Sequence, residues 1–351
     1  MFRLTMLPAE DGDCLLLDYG TEEKQHHVLI DGGRTSAYTA ARPYFDAIRA
    51  RGERIDLLVL THIDADHIEG LLPLIADERF PVEVAEVWYN GFDQLSGLEL
   101  YGPEQGDAFS AALKARAWPW NTAFGGAAVV LSNGKPFEVA GPGGLKITLL
   151  SPTRQALAKL RATWVEYRQE NGLPAAEPEV PAGLEVYGRE ALEVTPENVG
   201  ALATSATSVD RTVPNGSSIA FIAEHEGRRL LLAADAHPSD LVRALRDHNG
   251  RTAREIHLAK ISHHGSKANT TKQLVQEMSA LRFAISTSGA RNKHPNPEAI
   301  ARLIHGRPAG VELHFNYRTK FTEIWDAPAV TGAHGHRCFF GSSDGVISID
   351  V

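Results

Sequence analysis

The apolar run Leu57-Leu58-Val59-Leu60 leads directly into "THIDADHIEG", residues 61–70, which places four potential metal ligands, His62, Asp64, Asp66 and His67, within six positions. Continuous apolar character marks a strand buried on both faces. Such a strand delivers the ligand cluster to a partly buried edge, where uncompensated carboxylates are costly. In "HIDADH", His62 and Asp64 can aim at one point, while the adjacent pair Asp66-His67 reaches a second point nearby. Imidazole suits zinc and other transition metals, and carboxylate suits harder ions such as manganese.

Further ligand types stand at the ends of other strand-like runs. Asp31 closes "VLID", Asp235 closes "LLLAAD", and His263 and His264 close "LAKIS". A core-filling role does not explain charged groups at apolar strand ends, whereas a site along the sheet edge does. Asp235 can bridge two cations at the ~3.5–4 Å separation of two-metal hydrolases. With 15 histidines in the chain, position must separate ligands from ordinary residues. His26, His27, His225, His248, His305, His334 and His336 fall in turns, at helix ends or on expected surfaces and receive no role. Lys260 is either a phosphate contact or a surface lysine, His294 in "KHPNP" either a substrate contact or a loop residue, and Ser266 and Asn215 read as turn and cap residues.

Strand and helix signals alternate along the rest. "FRLTML" and "CLLLDYG" flank the turn "AEDGD"; "TAARPYFDAIRARG" reads as a helix closed by Gly52. "HIEGLLPLIAD" reads as one helix leading away from the cluster, and "VELHFNYRTKFTEIW" and "GVISIDV" as terminal strands. Strands interleaved with helices predict two sheets enclosed by helices. Residues from about 173 to 214 lose the pattern and read as an insertion or mobile loop in a single domain spanning 1–351. No apolar run reaches transmembrane length and no signal peptide is evident, so a cytoplasmic location without membrane contact is expected. The net charge of −9 argues against broad wrapping of nucleic acid but not against a local site where bound metal supplies the positive charge. Cys14 and Cys338 read as buried free thiols.

The motif His62-Ile63-Asp64-Ala65-Asp66-His67 resembles the HxHxDH signature of metallo-β-lactamase-fold hydrolases, and Asp64 at the second ligand position resembles the ComEC branch, the hydrolase domain of DNA-uptake proteins and its stand-alone relatives. "PAEDGDCLLLDYG", "NGSSIAFIAEHEGRRLLLAAD", "LAKISHHGSKANT" and "GARNKHPNPEAI" are similar to further segments of that branch in the same order. The resemblance implies an α/β fold, an αββα sandwich, and two divalent metal ions, Zn2+ first and Mn2+ as the alternative. It places His62 and Asp64 on the first ion, Asp66, His67 and one of the paired histidines on the second, and Asp235 between them. His263, first off the strand, is taken as that ligand, leaving His264 to support it or act on substrate; the reverse assignment stays open. Asp31 resembles the early aspartate that orients the ligand loop. No histidine stands in "VPNGSS", where many members of the fold carry another ligand of the first ion; Asn215, His237 and His294 are the substitutes at hand.

The implied activity is metal-dependent hydrolysis by a metal-bound hydroxide, with Asp66 or Asp235 orienting it and a phosphoester, DNA or RNA included, as substrate. Alternatives are ester, lactone or amide hydrolysis on the same ions, and a non-enzymatic metal-bound sensor or partner subunit. No protein partner or oligomeric state is indicated.

Overall fold

Period-two alternation divides the strand side chains between two layers. From β1 (Phe2–Met6) and β2 (Leu15–Gly20), Leu4, Met6, Leu15, Leu17 and Tyr19 enter one core and Leu16 another. A computed structural model describes residues 1–77, 82–95, 104–171, 194–250 and 254–351. Among them β1 and β2 join β3 (Gln25–Ile30), β4 (Ile55–Val59), β5 (Val87–Trp88) and β14 (Ile347–Asp350) in a sheet of order β14-β1-β2-β3-β4-β5. The second sheet runs from β6 (Phe137–Ala140) through β7 (Lys146–Ser151), β8 (Ala220–His225), β9 (Arg228–Leu232), β10 (Leu258–Lys260), β11 (Arg282–Ile285) and β12 (Glu312–Phe315) to β13 (Arg337–Phe340), each strand beside its sequence neighbour.

Facing residues of the two sheets, such as Leu57 and Val59 from β4 and Leu230 and Leu232 from β9, form the central core. The opposite faces are covered by helices. Phe45, Leu74, Phe109, Leu113 and Leu160 cover the first sheet, and Leu241, Leu245, Leu274, Ile300 and Leu303 the second. The result is an αββα sandwich. β3–β4–β5 and β9 through β13 are parallel, so their carboxyl ends open a crevice of the kind where α/β folds bind ligands.

Three local expectations change. The helix expected over "HIEGLLPLIAD" is two, Ala65–Ile68 and Leu71–Ala76. It breaks at Gly70 because two backbones meet there: a Cβ on Gly70 would stand 1.9 Å from the Gly32 carbonyl oxygen. The strand expected over "VELHFNYRTKFTEIW" stops at Phe315, where a turn held by Thr319 and Thr322 begins. Of the stretch read as an insertion, 173–193 lies outside the described residues. The remainder contains the helix Val199–Thr204, and Val194, Val199 and Ala203 join the outer core of the second sheet. Cys14 is buried and Cys338 half-buried, both as free thiols. Among the described residues no helix is long and apolar enough to cross a membrane.

His27, passed over as a turn residue, ties β2, β3 and the start of β4 together. Its buried ring faces Asp18 Oδ1 from Nδ1 at 2.6 Å and Glu53 Oε2 from Nε2 at 3.0 Å. Burial works against the charged ring, but hydrogen bonds to Asp18 and Glu53 outweigh it and raise the pKa above its usual value. Below the unfolded pKa of ~6.5 this contribution to stability is fully present, and it is lost as pH rises through the raised folded value. His27→Gln is expected to destabilise the fold by about 3 kcal/mol at pH 6 by leaving two carboxylates short of a partner. Urea denaturation at pH 6 and pH 9 checks this; equal effects at both would contradict the ion-pair account.

Candidate metal centre

At the end of β3, Asp31 turns its carboxylate back under β4. Oδ1 accepts the Thr61 backbone N–H at 2.7 Å, and Oδ2 accepts the Thr61 hydroxyl at 2.7 Å and faces His67 Nδ1 at 2.7 Å. With its hydrogen committed to Asp31, Thr61 Oγ1 can only accept from His62 Nδ1, 3.0 Å away. His264 Nδ1 meets the Ser286 carbonyl at 3.0 Å. His263 Nδ1 meets Asn269 Oδ1 at 3.0 Å, and the Asn269 amide is oriented because its N–H groups donate to Asp210 and the Asp235 carbonyl. In the neutral form of all four imidazoles, these partners assign the proton to Nδ1 and leave a lone pair on Nε2.

Those four lone pairs converge. Asp235 Oδ2 lies 3.5 Å from His67 Nε2, 3.6 Å from His263 Nε2, 3.6 Å from His264 Nε2 and 3.9 Å from His62 Nε2. The Nε2 atoms of His67 and His264 are 3.2 Å apart, His264 Nε2 is 3.5 Å from Asp66 Oδ2, and His62 Nε2 is 3.6 Å from Asp64 Oδ2. Two donors bound at ~2.1 Å to one tetrahedral ion lie ~3.4 Å apart, so the spacing fits shared cations. Among the described residues, buried His62 Nε2 and Asp235 Oδ1 have no hydrogen-bond partner, the state expected of atoms that face a cation. Among the described residues, donor atoms within 4.8 Å of one another group as His62, His67 and Asp235; as Asp66, His67 and His264; and as Asp13, Asp31 and His67. Asp64 and His263 stand outside those sets.

Electrostatics agree. Burial would raise the Asp235 pKa, but His263, His264 and His67 hold it well below the usual carboxylate range. Burial would lower the imidazole values, but Asp235 leads the groups that raise His263 to about 9 and His264 to about 10. The pocket therefore draws positive charge, and metal cations entering it must displace protons.

The paired histidines differ because the backbone turns between them. His263 at φ 48°, His264 at φ 52° and Gly265 at φ 85° form a left-handed run, costing roughly 1–2 kcal/mol for each non-glycine residue. The run buries His264 and leaves the His263 side chain 23% exposed.

Other expected residues fall elsewhere. Lys260 is neither a phosphate contact nor a surface residue. It is buried, and Nζ donates to Asp13 Oδ2 at 2.7 Å, while Asp13 Oδ1 stands 3.5 Å from His264 Nδ1. His237 reaches the Thr212 carbonyl, and Ser266 Oγ accepts a backbone N–H from Ala268. Asn215 donates to Asp210, and its buried Oδ1 has no partner among the described residues. Trp120 stacks on Tyr89 and donates to its carbonyl. Asp13 and Asp210 are the groups sequence reasoning missed. Asp13 lies in an acidic turn that looks solvated, and Asp210 lies in the stretch read as an insertion. His294 is buried edge-on to His263, ring centroids 5.4 Å apart. Burial first, then His263 and His264, hold its pKa well below the usual value.

The sequence profile of the metallo-beta-lactamase superfamily matches residues 8–280, a span that takes in the "HIDADH" motif, Asp235 and the paired histidines. The chain belongs to the metallo-β-lactamase superfamily. Divalent metal binding is typical of this fold, and metal-dependent hydrolysis is the superfamily's chemistry. Among solved structures, a candidate metal-dependent hydrolase from Parabacteroides distasonis is similar at 14% identity and a TM-score of 0.38, covering 96% of this chain and 93% of that one. The short form of human tRNase Z shares 11% identity at a TM-score of 0.40, covering 81% and 91%. The CmlA β-hydroxylase shares 12% identity at a TM-score of 0.44, covering all of this chain and 54% of the hydroxylase. No curated protein sequence matches this superfamily member.

Proposed function

We propose that this chain is a binuclear phosphodiesterase. The observation that carries the reading is the convergence of four imidazole Nε2 atoms on one oxygen of Asp235. Asp66, His67 and His264 would hold the second cation and His62 and Asp64 the first, with Asp235 Oδ2 facing the histidines of both sets. The second set takes His264 rather than His263, because His264 is the one whose Nε2 stands near both Asp66 and His67. His263 is the imidazole left to supplement the first set. It faces the same Asp235 oxygen, and its Nδ1 is 3.3 Å from Asn215, in the segment that lacks the usual histidine. Divalent cations bound there would supply Lewis acidity and make water at the site more acidic. The chain's own residues orient and hold: Asp31 and Thr61 fix His62 and His67, Ser286 fixes His264, and Asn269 fixes His263. Zinc suits the imidazoles, and the extra carboxylate at Asp64 makes the site harder and more suited to manganese.

The phosphodiester substrate rests on the likeness of "HIDADH" and "HHGS" to the ComEC branch, and on the match between two adjacent cations and an in-line displacement at phosphorus. The net charge of −9 favours a small diester or a short strand end over a wrapped duplex. We read 1–351 as one domain.

The test is elemental analysis of purified protein together with hydrolysis of bis-p-nitrophenyl phosphate in added Mn2+ or Zn2+. About two cations per chain with diester turnover are expected. Turnover of p-nitrophenyl acetate and not of the diester would move the assignment to ester hydrolysis. One cation or none, with no turnover of either, would remove the enzymatic reading.

A further inference from the structure

His294 packs edge-on against His263 beside the metal centre. It is 3% exposed, and its Nε2 has no partner among the described residues. His27, equally buried, satisfies both ring nitrogens. A buried polar atom left unpaired costs about 1–3 kcal/mol, so an orphan beside a ligand site points to something outside the protein that satisfies it.

The backbone holds the ring in place. The Asn296 N–H donates to the Gly265 carbonyl at 2.9 Å, and Asn296 Oδ1 accepts the Lys267 N–H at 2.8 Å. A Cβ on Gly265 would stand 2.7 Å from Pro295 Cβ, and one on Gly289, at φ 69°, would stand 2.6 Å from the His294 carbonyl oxygen. The segment carrying His294 is thus pinned to the turn carrying His263 and His264. The ring lies at 89° to His263, whose Nε2 faces Asp235. A ring nitrogen fixed beside the ligand turn, with no partner among the described residues, is placed for a substrate atom next to the cation ligands.

We propose that His294 is a substrate-binding residue whose Nε2–H donates a hydrogen bond to an oxygen of the substrate's phosphoryl group. The proposal rests on the phosphodiesterase reading for the identity of the anion. Inorganic phosphate, titrated by calorimetry into Mn2+-loaded protein, tests it without requiring turnover.

His294→Gln can present an amide N–H near the Nε2 position, His294→Asn is too short to do so, and His294→Leu removes the donor. Asn and Leu are expected to weaken phosphate binding about 10- to 100-fold, in line with a hydrogen bond to a charged group, at unchanged cation content and melting temperature. Gln is expected to recover most of the binding, and kcat/KM for bis-p-nitrophenyl phosphate to fall in the same order. If Leu fails to fold, Asn against Gln decides. Phosphate binding within twofold of wild type in Asn, or loss of cations in parallel with loss of binding, overturns the proposal. Wild-type protein that binds phosphate through His294 yet hydrolyses no diester overturns the functional reading instead.

Discussion

Asp235→Ala is expected to lower kcat on bis-p-nitrophenyl phosphate by about 10³-fold or more and to deplete both cation sets at once. Its Oδ2 lies within 4 Å of all four imidazole Nε2 atoms. Groups that act as a unit lose most of their effect when any essential member is removed, and here the shared member is also the charge that draws cations into a buried pocket. His67→Ala should by contrast deplete the set built with Asp66 and His264 while leaving His62 and Asp64 in place. Elemental analysis separates the two variants: loss from both sets in one, from a single set in the other. Retention of wild-type metal content and of turnover within tenfold in Asp235→Ala would refute the bridging role.

The second large effect concerns stability. Lys260→Met is expected to destabilise the fold by about 3–5 kcal/mol, the loss seen when one partner of a buried pair is removed. Lys260 and Asp13 are both buried, joined across 247 residues by a 2.7 Å contact. Burial alone would raise the Asp13 pKa, but Lys260 and then His264 hold it below the usual carboxylate range. The pair therefore stabilises the protein above the unfolded carboxylate pKa of ~3.9, and the contribution disappears as pH falls through the lowered folded value. A double variant, Asp13→Leu with Lys260→Met, should recover most of the loss, since an apolar pair of similar volume replaces a buried ion pair at little cost. Urea denaturation of the three variants at pH 7 measures this. A double variant no more stable than Lys260→Met alone would show that Asp13 matters chiefly through His264.

The sequence by itself determined the layers and most of the residues that gather at the candidate site. Alternation in β1, β2 and β4 is a property of the chain, because successive side chains on a strand must point to opposite faces. His62, Asp66, His67 and Asp235 were legible because each ends an apolar run, and charge in that position needs a partner. Asp31 also ends an apolar run, but its orienting role came from the family resemblance; the structure gives it Thr61 and His67 to hold.

Tertiary structure decided what depends on direction and on distant contact. His263 and His264 are adjacent and chemically identical; the left-handed backbone at both residues sends one Nε2 toward Asp66 and His67 and leaves the other ring part-exposed. No local pattern specifies such a turn. Lys260 looked like a surface residue or an anion contact because its partner lies 247 positions away. Asp210 looked like loop because its roles, to Asn215 and Asn269, arise only once that stretch packs beside the paired histidines. Periodicity records which face a residue takes, so layers can be read from the chain. A hydrogen bond forms between atoms the fold brings within about 3 Å, and only the assembled sheets determine which atoms those are.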